Sequence, residues 1–193
     1  MNYLAEELVE RTKQLNNYLG IPSDFWIIGI RNSNDAPDHF DDIFYLMHGE
    51  KLMMITSGTT NAGLSILKAG FKRFNKYGAF ILESDKIYYN VWKYGLHLGK
   101  IPALKQIGAK VTGFRDGNMN DKSEEIGERI EGYFGINFHC ASYDWKSKLV
   151  KTLIGGWSAG CQVCNNTPEY KKIIETVKNQ ESVSYCLLKE FSI

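Results

Sequence analysis

No uninterrupted apolar run in this 193-residue chain approaches the ~20 residues needed to span a bilayer, so membrane insertion is not expected. An excess of charge of one sign is missing too: Lys plus Arg number 23 and Asp plus Glu 22, a net charge of +1. No broad electrostatic field is available to hold nucleic acid or an anionic membrane, and any partner must be recognised locally. Cysteine is sparse and poorly placed for a disulfide framework, because Cys140, Cys161, Cys164 and Cys186 all fall in the last third. Reduced thiols are the expected state. An apolar leader is also lacking, since Glu6, Glu7, Glu10, Arg11 and Lys13 interrupt Met1–Leu19. The expectation is synthesis in the cytoplasm without a signal peptide.

What is present is the composition of a folded core, 44% hydrophobic and 13% aromatic. The length suits one compact domain, with residues 1–22 as an N-terminal helical segment on a main domain of residues 23–193. Leu4, Leu8, Leu15, Tyr18 and Leu19 follow a helical repeat before Gly20 and Pro22, which predicts a helix over about residues 2–18. Short β-prone runs follow: Phe25–Arg31, Ile43–Met47, Leu52–Thr56, Ala79–Glu83, Ile87–Trp92, Lys110–Phe114 and Tyr133–His139. Their spacing predicts an antiparallel sheet protein, with hairpin loops at His48-Gly49-Glu50 and Ser84-Asp85-Lys86. Near the end, Thr167 is the expected cap of a helix starting at Pro168, with Tyr170, Ile173, Ile174 and Val177 on one face. Ser182–Phe191 is expected to return to the sheet as a strand.

The candidate chemistry lies in Ser158-Ala159-Gly160-Cys161 and in His139 upstream. A free thiol with a pKa of about 8.5 is mostly protonated at neutral pH, and an adjacent imidazole activates it by accepting the proton. Gly160 lets the backbone turn closely enough for amide N–H groups to face an oxyanion, and Ser158 is placed to bond to the loop or to the imidazole. The plainer alternative is that Cys161 is a small buried residue and His139 merely ends a strand.

Other features carry less. Cys161-Gln162-Val163-Cys164 has the C-x-x-C spacing of zinc or redox sites, but no second pair completes a ligand set, and Cys164 reads as a small hydrophobe under the loop. Asp116, Asn118, Asn120 and Asp121 begin like a calcium loop yet lack its Gly and final Glu, so a polar turn is expected. No metal and no cofactor is therefore assigned. Asp35, Asp38, Asp41 and Asp42 form an acidic loop, read as a solvated connection or as a contact for the amine of a diamino acid.

The segments Gly135-Ile136-Asn137-Phe138-His139 and Gly155-Gly156-Trp157-Ser158-Ala159-Gly160-Cys161-Gln162-Val163 resemble the L,D-transpeptidase (YkuD) catalytic domain, which places a His on a strand before an S-x-G-C loop. The likeness is closer to a divergent branch found in phages and Bacteroidetes-type bacteria. Trp92–Lys100 and Phe114-Arg115-Asp116 are similar to that branch as well. Where the family usually carries an Arg two residues after the Cys, this chain has Val163, and Cys140 stands after the His in place of Gly or Arg.

This resemblance implies an α+β, β-rich fold, a mixed β-sandwich or barrel with an N-terminal helix and a helix after the Cys loop. It implies a thioacyl-enzyme mechanism on the peptide stems of peptidoglycan, with Cys161 as nucleophile, His139 as base, and Ser158 and Gly160 shaping the oxyanion loop. Trp157, Gln162, His97, Trp92 and Arg31 are the expected substrate contacts. With no leader in the sequence, the expectation leans to a hydrolase such as a phage endolysin, acting on the wall after release or from a virion. Transpeptidation of the stems is the alternative within the same chemistry, and a non-catalytic module that binds wall peptide is the alternative outside it.

Overall fold

The computed structural model describes residues 3–34, 36–68 and 77–192. In chain order its elements are α1 (Ala5–Lys13), β1 (Phe25–Arg31), β2 (Asp42–His48), β3 (Lys51–Thr59), α2 (Leu64–Leu67), β4 (Ala79–Leu82) and β5 (Lys86–His97). They continue with β6 (Ile101–Gln106), β7 (Val111–Asp116), β8 (Ile130–Gly132), β9 (Phe138–Cys140), β10 (Gln162–Cys164), α3 (Thr167–Val177) and β11 (Val183–Lys189). The chain is α+β and rich in strands. Eight strands close into a barrel in the order β1-β11-β5-β6-β9-β10-β3-β2, and β4, β7 and β8 form a separate three-stranded sheet. Among the described residues, no helix is long and apolar enough to cross a membrane.

Antiparallel pairing dominates, but β1 with β11 and β9 with β10 are parallel. The second of these pairs carries the residues of interest. In its register Gln162 lies opposite Phe138, Val163 opposite His139 and Cys164 opposite Cys140. Side chains alternate along a strand, so Phe138, Cys140 and Cys164 enter the main core with Trp92 and Tyr185, while His139 and Val163 share the other face. The stripe of Tyr170, Ile173, Ile174 and Val177 on α3 joins the same core, each side chain fully buried. Each large apolar side chain so buried contributes roughly 1.5–3 kcal/mol.

Several boundaries differ from those expected. α1 ends at Lys13 instead of continuing to residue 18, because the Asn17 amide pairs with β5 by donating to Ile87 O (2.7 Å) and accepting from Ile87 N (3.2 Å). That pairing draws the chain out of the helix, and Leu19 is left 85% exposed. Gly49 and Glu50 do turn β2 into β3. The Ser84-Asp85-Lys86 turn is not a hairpin: β4 pairs with β7 and β5 with β6 and β11, so the turn passes the chain from the small sheet to the barrel. Of the run Tyr133–His139 only Phe138 and His139 are strand, at the start of β9; β8 ends before it at Gly132, and Gly135 at φ +72° lies between the two strands. Asn166, not Thr167, caps α3, its side-chain oxygen accepting from Glu169 N at 3.2 Å.

The acidic loop is a staple more than a solvated connection. Asp38, at φ +65°, accepts from Leu64 N and Gly155 N through Oδ1, both at 2.8 Å, and its own carbonyl accepts from Ile154 N. Asp42 is buried and accepts from Asn32 N, Thr60 N and the Thr60 hydroxyl; Asp35 lies outside the described residues. Asp116 accepts from Glu124 N at 2.9 Å and closes a polar turn.

Candidate active site

Carrying the alternation of β10 back one step puts Cys161 on the same face as Val163, and hence on the face of His139 on the adjacent strand. Gln162 N donates to Asn137 O at 2.9 Å, so Cys161 enters the sheet beside Asn137, two residues before the histidine. Of the four cysteines, Cys140, Cys164 and Cys186 are buried and only Cys161 is partly exposed. Access therefore singles out the candidate nucleophile. Its Sγ lies 3.5 Å from Gly135 O, to which the thiol donates.

His139 is 1% exposed. Its Nδ1 lies 3.0 Å from the Cys140 carbonyl, which can only accept, so this nitrogen carries the proton and Nε2 holds the lone pair. Nε2 is buried and has no hydrogen-bond partner among the described residues. The imidazole is thus fixed as a base with its basic nitrogen uncommitted. Thiol and imidazole are not hydrogen-bonded to each other at rest, the thiol being turned to Gly135. Catalytic hydrogen bonds are often long before the substrate is engaged.

Burial pushes the Cys161 thiol up to about 11, offset in part by a backbone hydrogen bond from Asn137. The same cause holds His139 down at about 3, aided by the neighbouring His97 and opposed by the Cys140 carbonyl. Both groups are neutral at pH 7, so no thiolate–imidazolium pair is formed in advance. Proton transfer must accompany attack.

His97 stacks on His139, with ring centroids 3.9 Å apart and planes 17° from parallel. The Asn137 amide donates to His97 Nδ1 at 3.2 Å, and burial lowers the His97 pKa. Trp157 packs on Tyr143 at 4.9 Å, and the Lys100 ammonium lies 4.5 Å from the Tyr143 ring. These two expected contacts, His97 and Trp157, are both partly exposed.

Ser158 braces the loop and does not reach the imidazole. Its hydroxyl donates to Cys161 O at 2.8 Å and accepts from Gly160 N at 3.1 Å. The Gly160 N–H is therefore occupied, which removes it from the expected oxyanion site. Two further bonds tie the loop down, Gly63 N to Ser158 O at 2.9 Å and Phe80 N to Ala159 O at 3.1 Å.

The structure removes three expected substrate contacts from the site. Trp92 is 1% exposed and donates from Nε1 to Ile136 O at 2.8 Å, holding the segment before His139 from inside the barrel. Gln162 is fully buried, donating to Gly160 O at 3.2 Å and accepting from the Tyr185 hydroxyl at 2.6 Å. Arg31 is buried, its Nη1 paired with Glu125 Oε1 at 2.8 Å and its Nε donating to the Thr60 hydroxyl. Trp92 and Gln162 thus support the backbone of the two site segments from the core, while Arg31 is committed to Thr60 and Glu125.

One organising residue carries no motif. Gln106, buried at the end of β6, accepts from Phe134 N (2.9 Å) and Ile136 N (3.0 Å) and donates to Gly132 O (2.9 Å). Its backbone N–H also donates to Asn137 Oδ1 at 2.9 Å. The segment that presents Gly135 to the thiol is held by this side chain. Among the described residues, no three His, Cys, Asp or Glu side chains converge to hold a metal. Cys164 is buried in the barrel core, its thiol pushed well up by burial. Comparison of the chain with family models, with curated proteins and with solved structures finds no match.

Proposed function

We propose that this chain is a cysteine enzyme that opens peptide bonds in the peptide stems of bacterial peptidoglycan by acyl transfer to water. The observation that carries the reading is that the partly exposed Cys161, one residue before β10, falls on the same face as buried His139 on the adjacent parallel strand, whose Nδ1 is held by the Cys140 carbonyl and whose Nε2 has no hydrogen-bond partner among the described residues. In the first step Cys161 Sγ bonds to the carbonyl carbon while its proton passes to His139 Nε2. The C–N bond then breaks, the departing amine takes that proton, and a thioester remains. In the second step water adds to the thioester carbon and gives a proton to His139. The C–S bond breaks, the carboxylic acid leaves and gives its proton to solvent, and the His139 proton returns to the Cys161 thiolate.

The test is mass spectrometry of purified muropeptides incubated with the protein. Cleavage products are expected from the wild type, none from Cys161→Ala, and a rate lower by roughly 10²- to 10⁴-fold from His139→Ala. New amide-linked dimers without cleavage products would replace water by an amine acceptor, making the enzyme a transpeptidase. Unchanged muropeptides, with wall binding retained in Cys161→Ala, would reduce the chain to a binding module.

A further inference from the structure

Cys161 borders a pocket of about 220 Å³, the size of one amino-acid residue. Its lining joins apolar side chains, Ile66, Phe80, Phe134 and Ala159 among them, to backbone at Gly78 and Gly135, and its one charged group among the described residues is the guanidinium of Arg115 on β7. The other described arginines, Arg11, Arg31 and Arg129, each pair with a carboxylate. Arg115 has no acidic partner among the described residues, and its one hydrogen bond is long, from Nη1 to Gly78 O at 3.4 Å. A guanidinium has five N–H donors in a planar fork, so most of this fork is uncommitted among the described residues.

Two aromatic rings fix the position of that fork. The Arg115 guanidinium carbon lies 5.1 Å from the centroid of Phe80 and 5.3 Å from that of Phe134, and the two rings are 4.5 Å apart. Such contacts stabilise a cation through its faces and leave the in-plane N–H groups for a ligand. Arg115 stands opposite Phe80 in the β4–β7 register, and Phe80 N donates to Ala159 O in the cysteine loop. The cation is thus tied to the nucleophile through one strand and one hydrogen bond. Half-burial lowers its pKa from the usual arginine value but leaves it charged at any physiological pH.

We propose that Arg115 binds a free carboxylate of the acyl donor, held in the pocket beside Cys161. This rests on the reading of Cys161 as the nucleophile. A planar carboxylate matches the guanidinium fork through two parallel N–H···O bonds, and the carbon lining accepts a small apolar side chain such as that of alanine. Specificity then comes from one charge in a residue-sized space whose side-chain walls are mostly apolar.

The test compares alkylation of Cys161 by iodoacetate and iodoacetamide, which differ only by carboxylate against amide, at about pH 9 so that the raised thiol reacts. The wild-type rate ratio is expected about tenfold above that of glutathione in the same buffer, the worth of one charge-assisted pair. Arg115→Gln is expected to bring the ratio down to glutathione's while leaving the iodoacetamide rate unchanged, and Arg115→Lys to retain part of the preference. Protection of the wild type against iodoacetamide by N-acetyl-D-alanine, but not by its amide, gives the same answer without a variant. A wild-type ratio equal to glutathione's, or a preference that survives Arg115→Gln, overturns the proposal. Anion preference without muropeptide turnover keeps the pocket and removes only the catalytic reading.

Discussion

Gly160 meets two independent demands in the cysteine loop. Its φ of +129° is one that L side chains rarely adopt, and a Cβ added there would lie 2.2 Å from the carbonyl oxygen of Phe80. The contact is with backbone, so it cannot be relieved by a side-chain rotation. Gly160→Ala is expected to cost about 2–4 kcal/mol in urea unfolding and to abolish turnover, because the loop must move away from β4. That a glycine was needed before Cys161 is legible in the sequence, since the tight turn has few other solutions. The role of Ser158 was legible only as a choice between loop and imidazole. Its two hydrogen bonds, to Cys161 O and from Gly160 N, settle that choice for the loop. The misplacement of Trp92 and Gln162 has a general cause: one residue of register turns a strand side chain from solvent to core, and residue type does not give register.

At the scale of elements, the strands easiest to recognise were the long ones whose apolar content is high, such as β1 and β2. β6 was not legible because Pro102 and Lys105 break its apolar pattern, and β8 and β10 because each has only three residues; β9 was met at Phe138 and His139, the end of a longer expected run. These short strands are held by what surrounds them, not by propensity. Gln106 supplies the clearest case, since its amide serves the backbone of Gly132, Phe134 and Ile136 together. Gln106→Leu takes this partner from the Phe134 and Ile136 N–H groups and from the Gly132 and Ala109 carbonyls, at a cost of about 1–3 kcal/mol for each that water cannot reach. The expected result is faster hydrogen exchange at the Phe134 and Ile136 amides, with that of β1 and β2 little changed. Loss of turnover would follow from displacement of Gly135 and Asn137, which flank Cys161. Equal acceleration in β1 and β2 would instead mark Gln106 as a general stabiliser of the barrel.

The whole molecule buries two ionisable groups whose effects on acid stability oppose each other. His139 is fully buried and held at about 3, against its ordinary 6.5. Between these values the unfolded chain binds a proton that the native state refuses, so stability is lost as pH falls from 6.5 towards 3. Asp42 has the opposite sign. Burial raises its carboxyl from 3.8 to about 6, against the hydrogen bonds from Asn32 and Thr60 and the charge of Arg31. The native state there binds the proton more tightly, so stability is gained as pH falls from 6 towards 3.8. From about pH 7 to about pH 4 the histidine alone removes about 3 kcal/mol and the aspartate alone returns about 2 kcal/mol. Of the two, the histidine contribution is the larger. In His139→Gln the histidine contribution vanishes, and stability measured by urea unfolding is expected to shift by about 3 kcal/mol in favour of the acid condition relative to the wild-type profile. Asp42→Asn is expected to steepen the acid loss by about 2 kcal/mol over the same interval. Each variant is compared with itself at the two pH values, so any constant packing cost of the substitution cancels. If His139→Gln and the wild type show the same pH dependence, the imidazole is protonated in the native state at moderately acid pH, and its assignment as a resting neutral base fails.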